Sequence, residues 1–206
     1  MTDSPSPSGH QQRPDLVRSW VVEARSLDEA IYETIAMTPT PFLDRVMRML
    51  STAANYSRLW MGTAAAIAVL GGRPGREAAA HGLISVAVTS AVVNIALKRV
   101  GRRPRPERAA DHPVERDVRM PSSHSFPSGH AASAFAFATG VGHRLPVVAA
   151  PVHIAAGLVA YSRVHTGVHY PADALAGSVL GTAIAQVTTR AVDRSVRKYR
   201  LGREPR

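Results

Sequence analysis

The chain has no cysteine among its 206 residues, which removes several kinds of site at once. Disulfides, iron–sulfur clusters and zinc sites built from thiolates are all excluded. Aromatic residues make up only 5% of the chain and are not interleaved with the basic residues, and no helix-turn-helix, RNA-binding or zinc-finger pattern is present. We therefore expect no nucleic acid partner, although the net charge is +10. Anionic lipid headgroups explain such a charge equally well.

Strand-type alternation of apolar and polar residues never persists, and no internal repeat is visible. Charge is also missing from five long segments, which are rich in alanine, glycine, serine and threonine. Several of them approach the roughly 20 apolar residues that cross a bilayer. Small residues let helices pack closely in lipid. The charge-free segments are Leu59–Gly72, Ala78–Leu97, Met120–His143, Leu145–Ser162 and Ala174–Thr189.

These segments predict an all-α fold, namely an integral membrane helical bundle with about five spanning helices. A soluble bundle with buried alanine-rich helices is the alternative, but five such segments leave little polar outer face in so short a chain. We therefore expect an integral protein of the plasma (inner) membrane. The predicted spans are residues 58–72, 78–98, 129–143, 145–162 and 172–190.

The remaining segments divide the chain around this bundle. Apolar residues from Leu16 to Ile35 recur at spacings of three and four, which predicts an amphipathic helical region over residues 16–54. This region lies on the membrane surface or packs on the bundle, and a sixth span within it stays open. Residues 1–15 are expected to be a disordered leader, 55–190 the membrane-embedded domain and 191–206 a basic tail.

Polar residues suited to chemistry gather between the predicted spans in three patterns. If each span crosses once, the loop after the second span and the loop after the fourth emerge on the same face. The sequence therefore predicts one site built from both loops. The patterns are Lys98 with Arg105-Pro106 (K-x6-R-P), Phe126-Pro127-Ser128-Gly129-His130, and Ser162-Arg163 with His169 and Asp173 (S-R-x5-H-x3-D).

The residue types in these patterns suit phosphoryl transfer without a metal. Three cations, Lys98, Arg105 and Arg163, can hold an anion of charge about two. A backbone turn at Ser128-Gly129 can donate N–H groups to its oxygens. Two imidazoles can share the nucleophilic and acid roles. No cluster in the sequence has metal-ligand spacing, so we expect no metal and no cofactor.

Together the three patterns resemble the type 2 phosphatidic acid phosphatase family, lipid phosphate phosphatases that share a fold and active site with vanadium-dependent haloperoxidases. The resemblance covers roughly residues 45–190, with all three motifs in order. It implies that residues 55–190 form a metal-independent phosphatase domain acting on a phosphomonoester or pyrophosphate of a lipid or polyprenyl carrier. It also implies a phosphohistidine intermediate.

The same resemblance suggests a role for each motif residue. His169 resembles the nucleophile, and Asp173, one helical turn on, the carboxylate that bonds the other ring nitrogen and fixes its tautomer. His130 resembles the general acid that protonates the departing alkoxide. The phosphate-binding residues implied are Lys98, Arg105 and Arg163 as a clamp, with Ser128 and Gly129 at a helix N-terminus.

The histidines outside the motifs are not expected to take part directly in the reaction. His124 is interpreted as a loop residue, and His165 as a supporting or solvated one. His81, His143 and His153 are interpreted as structural.

Other activities and substrates fit the same residues. A vanadate-dependent haloperoxidase keeps the site and changes the chemistry, and a non-enzymatic basic membrane protein binds anionic lipid or nucleic acid through the arginine-rich tail. Candidate substrates include phosphatidic acid, phosphatidylglycerol phosphate, polyprenyl pyrophosphates and a polyprenyl-phosphoryl-sugar phosphate. The composition resembles actinobacterial members, some of which act on decaprenyl-phosphoryl-phosphoribose. The membrane face of the site and the oligomeric state are left open by the sequence.

Overall fold

The computed structural model describes residues 12–97, 101–108 and 116–201, and within these ranges the chain is helical and contains no strand. This confirms the all-α prediction. Helix α4 continues into a π-helical segment, Val92–Leu97. The α-helices of the described residues are α1 (Gln12–Met37), α2 (Pro41–Ala53), α3 (Arg58–Leu70), α4 (Gly72–Ala91), α5 (Gly129–Arg144), α6 (Ala149–His165) and α7 (Pro171–Leu201).

Each predicted span coincides with one of the helices α3 to α7. Two helical segments, Gly72–Leu97 and Pro146–His165, are long and apolar enough to cross a membrane. Helix α3 has 13 residues and α5 has 16. At about 1.5 Å per residue, each is shorter than the roughly 30 Å hydrocarbon core of a bilayer. The positions of the helices are therefore confirmed, and the count of five crossings stays a prediction.

Helix α5 lies at the centre of the bundle, in contact with α4, α6 and α7. On one side Phe137 is fully buried, and its ring centroid lies 5.2 Å from that of Trp60 in α3. On another side small residues bring α7 against α5. A Cβ atom on Gly181 would lie 2.1 Å from the carbonyl oxygen of Ala132. Glycine is thus required where these two helices touch.

Replacing Gly181 by alanine is expected to destabilise the protein, because the added methyl group pushes α7 away from α5. Overpacking of this kind costs about 1–3 kcal/mol. Gly157→Ala is the matched control, since nothing lies within 4 Å of its Cβ position and alanine is the better helix former. Thermal unfolding in detergent measures both variants. Equal Tm values would show that the bundle tolerates a wider spacing of α5 and α7.

The N-terminal region forms two helices that pack on the bundle rather than within it. Helix α1 contacts α6 and α7, and α2 contacts α6. Leu16 and Trp20 of α1 are more than half exposed, as in an amphipathic helix whose apolar side faces outward. Helix α1 begins at Gln12, inside the segment 1–15 predicted as a leader, and residues 1–11 lie outside the described residues.

The motif residues that the structure describes lie at one end of the bundle. Helices α5 and α7 begin there, and α6 ends there. The N–H of Ser128 donates to the carbonyl oxygen of Asp173 over 3.0 Å, which joins the two helix N-termini. The N–H of Ser125 donates to the carbonyl oxygen of Arg103 over 2.9 Å, which joins two parts of the long loop. The two loops that carry the described motif residues therefore meet at one end of the bundle, as the sequence predicts.

Candidate active site

His169 lies in the turn between α6 and α7, and its side chain is buried. Its backbone N–H donates to the carbonyl oxygen of Arg163 over 3.1 Å. In the ring, Nδ1 lies 3.3 Å from Oγ of Ser125, and Nε2 lies 3.3 Å from Nη1 of Arg105. Each ring nitrogen therefore has a defined polar neighbour.

Ser125 determines which nitrogen of His169 carries the proton. Its hydroxyl donates to Oδ2 of Asp173, which as a carboxylate can only accept. The hydroxyl has one proton, so its oxygen accepts from Nδ1–H of His169. The neutral ring then carries its lone pair on Nε2, the nitrogen beside Arg105.

Asp173 acts on His169 through Ser125. Its Oδ2 lies 3.7 Å from Nδ1 of His169, beyond hydrogen-bond distance, so the direct bond expected from the sequence is not formed. The physical reason is the position of Asp173 in the first turn of α7, where Oδ2 accepts from the N–H of Tyr170 over 3.0 Å. Ser125 occupies the gap that remains.

The surroundings of His169 keep its imidazole neutral. Burial is the largest cause and lowers the pKa of His169 to about 4; the carboxylate of Asp173 opposes this shift, and the charges of Arg105 and Arg163 add to it. The ring is therefore unprotonated on Nε2 at physiological pH. A neutral imidazole with a defined tautomer is a competent nucleophile.

Arg105 is held beside His169 by oxygens of the neighbouring loops. Its Nε donates to the carbonyl oxygen of Ser123 and its Nη1 to that of Val168, each over 2.8 Å. Its Nη2 lies 3.2 Å from Oγ of Ser123 and from the carbonyl oxygen of His124. These bonds fix the guanidinium with Nη1 near the lone pair of His169.

Arg163 is the second cation that the structure places close to His169. It lies in the last turn of α6 with 1% of its surface exposed, and Nη1 donates to Oγ of Ser51 in α2. Its Nε is buried without a hydrogen-bond partner among the described residues. A buried N–H of a charged group is costly unless an acceptor completes it. Lys98, the third predicted cation, lies outside the described residues.

Ser128 and Gly129 begin helix α5, as the sequence predicted. Oγ of Ser128 accepts from the N–H of Ala131 over 3.4 Å, which makes Ser128 the N-cap. The N–H of Ser128 is already donated to the carbonyl oxygen of Asp173. It is therefore not open to a phosphate, which corrects the expected role of this N–H.

His130 lies in the first turn of α5 and faces a cavity of about 230 Å³ that is also lined by Gly129, Asn94 and Ser133. Its Nε2 lies 3.0 Å from Oδ1 of Asn55. Because an amide oxygen only accepts, Nε2 carries a proton. Nε2 is thus the ring nitrogen from which a proton is given when His130 acts as a general acid in its imidazolium form.

Arg103 connects the site to helix α1, a contact that the sequence did not predict. Its Nη1 lies 2.6 Å from Oδ2 of Asp28 and 3.3 Å from Oδ1 of Asp173. Its guanidinium stacks over the ring of Tyr170, 3.9 Å from the centroid. Asp28 in turn accepts from the N–H of Ala172 over 2.8 Å, at the N-terminus of α7. Asp28 sits among other charged residues of an amphipathic pattern, so nothing in the sequence distinguishes it.

His165 belongs to a buried polar cluster below the site rather than to a solvated surface. Its Nε2 lies 2.7 Å from Oδ1 of Asp44. The same oxygen accepts from Nε of Arg116 and from Oγ1 of Thr40, each over 2.8 Å. Burial raises the pKa of Asp44, but the hydrogen bonds from Thr40, His165 and Arg116 outweigh it and lower the pKa overall. The carboxylate is therefore ionised at neutral pH.

Ser125→Ala is expected to lower kcat by about a hundredfold with little change in KM, the size of effect that a small misplacement of a reacting group produces. Without the hydroxyl, Nδ1 of His169 loses its acceptor and either ring tautomer forms. Ser122→Ala is the matched control, because Ser122 is exposed in the same loop. Phosphate release from a lipid phosphate gives both constants. Wild-type kcat in the Ser125 variant would show that Asp173 orients His169 without it.

Sequence comparison places phosphatases among the relatives of this chain. A family model described as the PAP2 superfamily matches residues 79–197, more than half of the chain. Decaprenylphosphoryl-5-phosphoribose phosphatase of Mycobacterium tuberculosis is 39% identical over 100 residues, which are 46% of this chain and 51% of that protein. The phosphatase of the same name from Mycolicibacterium smegmatis is 34% identical over 131 residues, 63% of this chain and 68% of that one. The chain thus spans about half the length of the first relative.

Two crystal structures share the fold. LpxE of Aquifex aeolicus superposes with a TM-score of 0.65 at 23% identity, over 80% of this chain and 95% of that one. A transmembrane PAP2-type phosphatidylglycerolphosphate phosphatase from Bacillus subtilis superposes with a TM-score of 0.62 at 26% identity, over 84% and 88%. The helical fold, the match over residues 79–197 and the identity to the mycobacterial phosphatases lead to one assignment: the chain belongs to the PAP2 superfamily.

Proposed function

We propose that this protein is a membrane-embedded phosphatase that hydrolyses a phosphomonoester or pyrophosphate of a lipid or polyprenyl carrier, in the plasma membrane, through a phosphohistidine at His169. One observation carries the proposal. The buried imidazole of His169 has Nδ1 beside Oγ of Ser125, whose hydroxyl donates to Asp173, and Nε2 beside the guanidinium of Arg105. Membership of the PAP2 superfamily and the names of the relatives support the reaction class.

The proposed reaction has two steps. Nε2 of His169 attacks phosphorus, the bond from phosphorus to the lipid oxygen breaks, and His130, as an imidazolium, gives its Nε2 proton to the departing alkoxide and becomes neutral. Water then attacks phosphorus, the bond from phosphorus to Nε2 of His169 breaks, and neutral His130 takes a proton from that water. Inorganic phosphate leaves, and both histidines return to their first protonation states.

Charge stabilisation is supplied by side chains in this proposal. Arg105 and Arg163 flank His169, and the K-x6-R-P motif adds Lys98. Guanidinium and ammonium groups around the equatorial oxygens do what a metal ion does in many phosphoryl-transfer enzymes. Among the described residues, the one set of three metal-type donors close enough to share an ion is His81, His143 and Asp193, none of which takes part in this site. We therefore propose a metal-independent reaction.

The names of the relatives support the substrate class that we propose. Two relatives are named for a decaprenylphosphoryl-5-phosphoribose, and one solved structure is named for a phosphatidylglycerolphosphate. Each of these named substrates carries a phosphate on the polar part of a lipid. We propose a polyprenyl-phosphoryl-sugar phosphate as the preferred substrate, because the higher identity is to the mycobacterial proteins.

A phosphate-release panel tests the proposal. The full chain, purified in detergent, is given decaprenyl-phosphoryl-phosphoribose, phosphatidylglycerol phosphate, phosphatidic acid and a polyprenyl pyrophosphate, each with EDTA present. We expect hydrolysis of the first at the highest kcat/KM and inhibition by vanadate, which mimics the transition state. Loss of all turnover with EDTA, restored by magnesium, would contradict the proposed clamp. Bromination with added vanadate and no phosphate release would favour the haloperoxidase.

A further inference from the structure

A second polar cluster lies at the opposite end of the bundle from His169. It brings together His81 of α4, His143 in the last turn of α5 and Asp193 of α7. Asp193 follows Asp173 by twenty residues of the same helix, which at about 1.5 Å per residue places it roughly 30 Å along the axis. The cluster is therefore independent of the phosphatase site.

The donor atoms of the cluster converge on one point. Nε2 of His81 lies 3.1 Å from Oδ1 of Asp193, and Nε2 of His143 lies 2.7 Å from Oδ2. One donor atom from each of the three residues lies within 4.8 Å of the other two. Tetrahedral ligands about 2.1 Å from a zinc ion are roughly 3.4 Å apart, so small side-chain adjustments close this set around an ion.

The two ring nitrogens of His81 face different groups. Its Nδ1 lies 2.9 Å from the carbonyl oxygen of Glu77, which only accepts, so Nδ1 carries the proton. The other ring nitrogen, Nε2, faces Oδ1 of Asp193 over 3.1 Å, so both atoms are placed to bind one ion. An N–H bonded to a backbone carbonyl is also what metal-bound histidines commonly show on their other nitrogen.

We propose that His81, His143 and Asp193 bind one Zn²⁺ ion. Two imidazoles and one carboxylate suit zinc, whereas calcium and magnesium prefer oxygen ligands alone. His81 and Asp193 border a cavity of about 650 Å³ that leaves room for water or an anion as a fourth ligand. Arg144 pairs with Glu77 through Nη2, and its Nη1 lies 3.8 Å from Oδ1 of Asp193.

Bound Zn²⁺ joins three helices that otherwise meet through small side chains. The ligands come from α4, α5 and α7, which pack against one another along the bundle. An ion that binds the folded chain and not the unfolded one stabilises it by mass action. For a chain of this length, zinc at a hundredfold excess over its Kd is expected to raise Tm by about 5–10 °C.

The test uses the full chain in detergent, stripped with EDTA, dialysed and titrated with Zn²⁺ against a chromogenic chelator. We expect one zinc per chain and the stated rise in Tm. His143→Ala and Asp193→Asn should each weaken zinc binding by at least about tenfold, by analogy with the loss of one ligand-supporting contact. His153→Ala is the matched control, because its Nδ1 also bonds a carbonyl one turn earlier, 2.8 Å from Ala149 O, outside the cluster.

His169→Ala provides a second control, since it removes the histidine of the other site. Zinc binding that survives His169→Ala and His153→Ala but weakens in both cluster variants supports the proposal. Equal zinc affinity in wild type, His143→Ala and Asp193→Asn would overturn it. Absence of any zinc-dependent change in Tm would also overturn it.

Discussion

Replacing His169 by alanine is expected to abolish phosphate release while leaving the protein folded. The substitution removes the atom that we propose attacks phosphorus, so neither half of the proposed reaction proceeds and turnover falls by at least about a thousandfold. Rapid acid-free quenching with radiolabelled substrate measures the intermediate directly. Wild type should carry an alkali-stable, acid-labile phosphohistidine, and the His169 variant should carry none.

Two variants separate loss of the nucleophile from loss of the fold. His153→Ala removes a histidine of α6 that bonds only a backbone carbonyl of its own helix, and it should keep both turnover and label. Asp173→Asn should retain weak activity, because the imidazole stays in place with a less defined tautomer. Combining it with His169→Ala should cost nothing further, as for residues that act as one unit. Phosphate label on the His169 variant would show that another residue is the nucleophile.

The helices were predictable because the charges of this chain are so unevenly distributed. The segment Ala78–Leu97, for example, lacks any charged residue, and helix α4 with its π-helical continuation covers it. The number of membrane crossings was harder to predict from the sequence. Apolar composition sets which segments are helical, whereas crossing also depends on length, and α3 has 13 residues.

The proximity of His169 and Asp173 was predictable from the sequence, but the residues that hold them in place were not. His169 and Asp173 have a fixed spacing along one short segment, so the sequence alone sets them near each other. Ser125 reaches them from a loop more than forty residues earlier, and among its neighbours Ser122 and Ser123 nothing singles it out. Arg103 and Asp28 likewise meet only because α1 folds over the start of α7. The spacing of residues along the chain predicts which side chains come together, and tertiary contacts decide how those side chains are oriented.

The buried cluster around Asp44 gives the largest expected loss of stability. Asp44→Ala is expected to lower the free energy of unfolding by about 3–5 kcal/mol, because it leaves a buried charge without its partner. Arg116 is fully buried, and its Nε lies 2.8 Å from the Asp44 carboxylate. His165 loses its acceptor in the same variant. Denaturant unfolding of the purified chain in mixed micelles measures the change.

The ion pair between Arg108 and Asp117 is the matched control at the surface. Nη1 of Arg108 lies 2.5 Å from Oδ1 of Asp117, a contact as short as the buried one, but the Asp117 side chain is 64% exposed. Asp117→Ala should therefore cost no more than about 1 kcal/mol, since water replaces the lost partner. Asp44→Asn should fall between the two, because the amide keeps an acceptor and loses the charge. Equal losses for Asp44→Ala and Asp117→Ala would mean that water reaches Arg116 once its partner is gone. The cluster, which also joins α1 through hydrogen bonds from Arg116 to the carbonyl oxygens of Ile35 and Ala36, would then not be what holds the helices together.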